Sequence, residues 1–455
     1  MMPYEPHKWI QTYINHSYFF TESGESWTPI GQNDAITWPD LQGLFLNKDP
    51  KHVEQYFKIL HQHGVTCMRL MMEYCHTEHR YLEKPVGQFH PHMIALWDAL
   101  FALASKYEIR FLLTPFDTFW MKRRWKVHPY NKRNGGVCST TTQWLLSKEM
   151  RTAIKNRFEY FTQRWGGSGI IFAWDLWNEI HPVHARQEVG QLSHYVEDVG
   201  GFLRNREIEL FGKAHLQTVS FYGTSLLKDH RIAAMALHHP GLDFATIHFY
   251  DEPEIDRPKN TIDAAIVTGS LTREVLAEIN DERPFFDTEH GPIFSFNNKG
   301  RTFDEAFDDE YFHNMQWAHF ASGGAGGGMR WPYRNPHTLT VGMRKRQLAL
   351  SGFVRLVDWK GFKRNSLNEK ITVSHSHAVH FSCGDEQQAI VWLLRNKING
   401  AELENLVIDF KGKYAVVFWD TMAGNKIKEE IINEPDRGCI LPSFEKDVAV
   451  YLKRI

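Results

Sequence analysis

Two glutamates, far apart in the chain, close strand-like runs. Glu179 ends WDLWNE (174–179), an apolar run that stops at Asn178-Glu179, and Glu289 sits in DTEHG (287–291). If both runs are strands whose C-terminal ends share one cleft, the two carboxylates face each other. Facing carboxylates suit cleavage of a glycosidic bond: one, protonated, donates to the leaving oxygen, and the other, ionised, attacks the anomeric carbon or activates water. A separation of about 5–5.5 Å goes with retention of configuration, and about 6.5–9.5 Å with inversion.

Other residues at the same ends fit this demand. Asn178 is placed to bond a sugar hydroxyl beside the reacting carbon. Arg69 and Tyr250 suit holding Glu289 ionised through charge-assisted bonds. His248 can bond the acid's surroundings or the substrate. Trp331 offers a flat face for a sugar ring, and Trp120, Trp125 and Trp177 could extend that platform or simply pack the core. Asn33 and Asp117 fall at strand ends too, and His290 directly follows Glu289. Singly these signals are weak: Asn-Glu is a common dipeptide, and a lone Arg69 reads as a structural ion pair. Their joint order carries the information.

The elements that must position them alternate. A hairpin in YFFTESGESWTPIGQN turns at Glu22-Ser23-Gly24 and leads into a strand. VTCMRLMM, EIRFLLTPFD, GIIFAWDLWNE, TVSFYG, DFATIHFY, PFFDTEHG and GAGGGMRW follow as strands, each with a helical stretch behind it. Helices are expected at 50–63, 93–104, 148–165, 225–237, 261–279, 303–320 and 341–359, with GFLRNREIELFG in another, and a Lys/Arg-rich loop at about 121–140. Eight strand–helix units predict a closed (β/α)₈ TIM barrel over residues 1–360. No G-x-G-x-x-G follows the first strand, and GGAGGG (323–328) lacks the Lys-Ser/Thr of a phosphate loop, so its glycines read as close packing. From 366 to 455 the texture changes to strands with polar turns, predicting a small antiparallel β-sandwich in which Trp392 and Trp419 face the core.

Composition narrows the classes. With 455 residues and 42% hydrophobic content, the chain can bury one large core and a smaller one. A net charge of −2 argues against a nucleic-acid partner. Five scattered cysteines without C-x-x-C spacing argue against a disulfide scaffold or a cysteine zinc site. His61 with His63, His90 with His92, His238-His239, and His375 with His377 all lie off the strand ends, so neither a metal nor a cofactor is expected. No stretch approaches the roughly 18 apolar residues of a membrane span. The N-terminus shows no apolar signal segment, which points to the cytoplasm, although a secreted chain with its signal removed reads the same way.

TPIGQN, CMRLM, WDLWNE, IHFY, DTEHG and MRW, in this order, resemble glycoside hydrolase clan A, whose family 5 includes cellulases and mannanases. The resemblance spans roughly residues 15 to 358. It implies a carbohydrate substrate and a retaining double displacement, with Glu179 as acid/base and Glu289 as nucleophile. Asn178, Arg69, His248, Tyr250 and Trp331 match the supporting positions. The sandwich also looks like the accessory domain behind several such barrels. Two features depart: the third strand ends in Pro-Phe-Asp-Thr, so Asp117 receives no transferred role, and His290 stands where many relatives have an aromatic or apolar residue. A β-mannan or β-glucan substrate is expected. The alternatives are a non-catalytic sugar-binding barrel and an exo-acting enzyme on short glycosides such as β-galactosides. The oligomeric state stays open.

Overall fold

The chain is described by a computed structural model over residues 7–74, 80–293, 302–334, 337–374, 378–396 and 405–455. The turn at Gly24, with φ +79°, closes an antiparallel ribbon of β1 (Ile10–Gln11), β2 (Phe19–Thr21) and β3 (Ser26–Trp27). Phe19 of this ribbon packs against Phe172, Phe244 and Phe286 at ring distances of 5.0, 5.4 and 6.0 Å. The ribbon therefore plugs one end of the barrel.

β4 (Gly31–Asp34), β5 (Cys67–Met71), β6 (Arg110–Thr114), β7 (Ile171–Asp175) and β8 (Leu216–Thr218) pair in parallel, in chain order. β9 (His248–Phe249) and β10 (Glu289–His290) pair in parallel, with Glu289 opposite His248. No regular ladder joins β8 to β9 among the described residues. Instead the Asp243 and His248 amides donate to Gln217 O and Phe221 O, both at 2.9 Å. The strand expected at GAGGGMRW contracts to Arg330, which makes one-residue parallel bridges to Gln32 and to His290 and so links β4 to β10. Positive φ at Gly323 and Gly328 breaks the extended run. Close packing does account for others of the run: a Cβ on Gly324 would meet the His319 ring, one on Gly326 would meet Pro29 O, and one on Gly327 would meet Leu350 and Gln316.

The helices are α1 (Pro50–Gln62), α2 (Pro91–Lys106), α3 (Thr118–Arg124), α4 (Lys148–Trp165), α5 (Gly190–Tyr195), α6 (Gly201–Phe211), α7 (His230–His238), α8 (Pro253–Asp256), α9 (Thr261–Glu278), α10 (Glu305–Ala321) and α11 (Val341–Val354). Short polar side chains start them: Asp49, Ser147, Asn260, Asp304 and Thr340 each accept an amide of the first turn. The segment expected as a loop from 121 begins inside α3, because Asp117 caps that helix through the Trp120 amide. No helix of the described residues is long and apolar enough to cross a membrane.

Beyond the barrel, β12 (Ala378–Gly384), β13 (Gln388–Arg395), β18 (Asp447–Arg454), β15 (Tyr414–Asp420) and β16 (Asn425–Ile432) form one antiparallel sheet. β11 (Ile371–Ser374), β14 (Asn405–Ile408) and β17 (Cys439–Ile440) form another. ITVSHSHAVHFSC thus divides between two sheets, and His375 and His377 lie outside the described residues. β16 escapes the sequence reading because NKIKEEII is a largely solvent-exposed edge strand without apolar alternation. Alternation along β13 sends Val391 and Leu393 into the sandwich core and Trp392 and Leu394 toward the barrel. Trp392 lies over Trp317 of α10, and Trp419 meets Phe353 of α11. Both tryptophans are buried, but against the barrel's helices and not within the sandwich.

Candidate active site

The C-terminal ends of the barrel strands bring the two glutamates together. Glu289, at the start of β10, receives the Arg69 guanidinium (Nη1) on Oε2 and the Tyr250 hydroxyl on Oε1, both at 2.8 Å. Glu179 follows β7 with φ +51°, a left-handed conformation uncommon for a side-chain-bearing residue. Its amide donates to Ser220 Oγ at 3.0 Å, and its Oε1 lies 2.9 Å from His248 Nδ1. That nitrogen is also 3.7 Å from Glu289 Oε2. One oxygen of each glutamate and the imidazole nitrogen all fall within 4.8 Å of one another. Backbone strain held at such a residue is typical of a site whose surroundings over-determine it.

Arg69 organises the floor. It is fully buried, and it also donates to Asp175 (2.8 Å), Asn33 Oδ1 (2.9 Å), Asn178 Oδ1 (2.5 Å) and Ser220 Oγ (3.3 Å). Asn178 in turn donates through Nδ2 to Asp117 Oδ1 at 2.7 Å. Its carbonyl and one amide hydrogen are therefore committed, which leaves the second hydrogen for a ligand. Asn33 sits beneath, donating to the Thr288 and Met329 carbonyls.

Electrostatics separate the two carboxyls. Burial pushes Glu179 well above the usual carboxylate range, and the charges of Glu289 and Asp117 push the same way. Burial raises Glu289 as well, to about 7, but Arg69 and Tyr250 pull it back. Glu289 thus ionises first and Glu179 keeps its proton. His248 is held neutral by burial and by the Arg69 charge. Glu179, His248 and Glu289 each offer an atom to a metal ion. Arg69 already supplies the positive charge at Glu289, so this donor set is a poor fit to a further cation.

Around the pair opens a cleft of about 830 Å³. Trp120, Trp331, Tyr74, Tyr222, Tyr250 and Tyr333 give it aromatic walls. Trp331 stands edge-on to Trp38 and Tyr74, at 4.9 and 5.0 Å. Ile293 lines the cleft, and residues 294–301 lie outside the described set. From the segment 121–140, Lys122 and Arg123 reach the cleft.

Trp177 does not belong to this wall. It is fully buried, donates to Thr118 Oγ1 at 2.9 Å and stacks on Phe116. Trp125 packs on Trp144 and His128. His290 is buried and held by Asp287 at 2.6 Å, on the strand that carries Glu289. Asp175, Ser220, Tyr222 and Tyr333 were not singled out from sequence. For Asp175 a signal existed, since an acidic residue inside an apolar strand requires a partner. For Ser220 and the two tyrosines there was none.

No protein-family model matches the chain, and no curated protein matches it. Solved structures do. A glycoside hydrolase family 5 structure from Bacteroides vulgatus aligns over 98% of this chain and 93% of its own, with TM-score 0.63 at 10% identity. A family 5 mannosidase mutant from Rhizomucor miehei, in complex with mannosyl-fructose, aligns over 76% of this chain and 98% of its own, with TM-score 0.57 and 15% identity. An endo-1,4-beta-mannanase from the same organism covers 71% and 90%, with TM-score 0.53 and 15% identity. The chain has the fold of these proteins: a (β/α)₈ barrel followed by antiparallel sheets.

Proposed function

We propose that the chain is a retaining β-glycoside hydrolase acting on β-linked oligo- or polysaccharide, with Glu179 as acid/base and Glu289 as nucleophile. The observation that carries this reading is the pair itself: two carboxyls at one cleft, with an oxygen of each within 4.8 Å. An approach of that size between single oxygens favours the carboxyl separation of about 5–5.5 Å of a retaining enzyme over the roughly 6.5–9.5 Å of an inverting one. The environments divide the labour in the required sense, because the carboxyl braced by Arg69 and Tyr250 ionises before its partner.

In the first step the Glu289 carboxylate attacks the anomeric carbon as the glycosidic C–O bond breaks, and Glu179 gives its proton to the departing oxygen. A glycosyl ester on Glu289 results. In the second step Glu179 takes a proton from water, the hydroxide oxygen bonds the anomeric carbon, and Glu289 is released as carboxylate. The free Asn178 hydrogen is placed to bind a hydroxyl of the reacting sugar, and Trp331 supplies a face for its ring. The mannosidase and mannanase among the structural neighbours favour a mannan-type substrate, with glucan as the alternative.

The test is a screen of nitrophenyl β-glycosides with mannan, glucan and galactan oligosaccharides, following the anomeric configuration of the first product by NMR. Retention, with loss of turnover in Glu179→Gln and Glu289→Gln, is expected. Full activity in both variants, or an inverted product, overturns the reading.

A further inference from the structure

The cleft is electrically lopsided. Helix α3, begun by the Asp117 cap, turns Lys122 and Arg123 into the cleft. Both are exposed, and among the described residues neither has a carboxylate within ion-pair distance. Arg123 is not loosely placed, since its guanidinium lies over the Trp120 ring, 4.9 Å from the centroid. His181, from the loop after β7, lines the same wall. Burial and the Lys122 charge hold its imidazole below the ordinary value, so it stays neutral and leaves the positive charge to its two neighbours. The far rim is acidic: Asp251 lines it, accepting from Ser225 at 2.7 Å. The hydroxyls of a neutral saccharide can hydrogen-bond these side chains, but only an anionic group also pairs with the two cations as charge.

The position of the cationic wall matters. Lys122, Arg123 and His181 come from the segments after β6 and β7, beside Glu179. Tyr250, Trp331 and Tyr333 come from the Glu289 side. An acid that protonates the leaving oxygen faces the leaving half of the substrate. We propose that the α3 wall, through Lys122 and Arg123, is a subsite for an anionic substituent on the leaving-group half of the saccharide: a carboxylate, sulfate or phosphate. The paired N–H donors of Arg123 fit two oxygens of such a group, and Lys122 adds a second charge. This inference rests on the hydrolase reading above and narrows its substrate class to acidic glycosides.

The experiment uses the full chain and matched aryl glycosides. The β-mannosides and β-glucosides of 4-hydroxybenzoate are compared with those of its methyl ester, and in parallel arms with 4-sulfooxyphenyl and 4-phosphonooxyphenyl glycosides. The neutral ester leaves more readily, so the readout is the change in the charged-to-neutral ratio of kcat/KM between parent and variant. Lys122→Ala/Arg123→Ala should lower that ratio about tenfold at low ionic strength, which is about 1.4 kcal/mol. Salt should erode it in the parent as the Debye length shrinks from about 30 Å at 0.01 M to about 3 Å at 1 M. Lys213→Ala, on a remote surface pair with Glu22, should leave it unchanged. The arm with the largest effect identifies the anion. Calorimetric binding of the same charged and neutral glycosides to Glu179→Gln decides the matter even without turnover. A charge preference in binding with no hydrolysis by the parent protein sinks the hydrolase reading and keeps the subsite. Hydrolysis with a ratio indifferent to Lys122 and Arg123 sinks the subsite and keeps the hydrolase, and indifferent binding without hydrolysis by the parent sinks both.

Discussion

Replacing Arg69 tests the floor of the site most directly. The guanidinium serves Glu289 through Nη1 and Asp175 through Nη2, each at 2.8 Å, and all three side chains are almost wholly buried. Removing one partner of a buried ion pair leaves an uncompensated charge and costs about 3–5 kcal/mol. Arg69→Met, which retains neither contact, should lose about that much unfolding free energy. Arg69→Lys keeps the charge but as a point, and a single ammonium cannot reproduce the fork. It should lose about 1.5–2.5 kcal/mol, taking one of the two pairings as retained. The catalytic consequence has a fixed sign. Arg69 pulls down the pKa of Glu289, so Arg69→Met, which removes the charge, raises it further. The nucleophile works ionised, and the acid limb of kcat/KM against pH therefore moves to higher pH. Urea unfolding followed by tryptophan fluorescence, with pH–rate profiles on one aryl glycoside, checks both parts. An Arg69→Met protein that unfolds at the parent's urea concentration with an unmoved acid limb would refute the assignment of Arg69 as the group that pays for two buried carboxylates.

Two further outcomes follow from the same electrostatics and packing. Burial raises both Glu179 and Glu289, the latter to about 7, so the folded state holds protons that the unfolded chain releases near 4.5. That contribution is complete below the unfolded value and is lost as pH rises through the folded one. Stability should thus fall between about pH 5 and pH 8, and Glu179→Gln should raise the thermal midpoint at pH 8 more than at pH 5; equal shifts at both would contradict it. A chain ending near residue 362 uncovers Trp317 and Phe353, which Trp392 and Trp419 otherwise cover. It should aggregate, and a soluble, fully active truncation would assign the sandwich another role.

What was legible in the sequence was whatever depends on periodicity and local chemistry. The strand–helix alternation and the hairpin turn at Gly24 follow from short-range rules. The strand ends followed too, because an apolar run that stops at Asn178-Glu179 or Glu289 places those residues beyond the sheet. Regular strand length did not follow. DFATIHFY and PFFDTEHG read as full strands, yet β9 and β10 pair over two residues each, and β8 ends at Thr218, the first residue of the expected strand TVSFYG. Hydrogen bonding between neighbours, and not hydrophobicity, sets that length.

The sequence by itself determined which strand-like runs end in Glu179 and Glu289, since strand order is carried by local pattern. Only the tertiary structure decided what each side chain at the barrel's mouth does. It turned Trp177 into the core while leaving Trp120 at the cleft, because the orientation of a ring depends on which neighbours have space for it. It gave Arg69 two carboxylates to hold, and it joined Asp117, Asn178 and Ser220 into one hydrogen-bonded floor from three strands. It also set Lys122 and Arg123 on a cleft wall where the sequence shows a short basic run. Such through-space pairings are fixed by distances between residues dozens to hundreds of positions apart, and no local pattern encodes them.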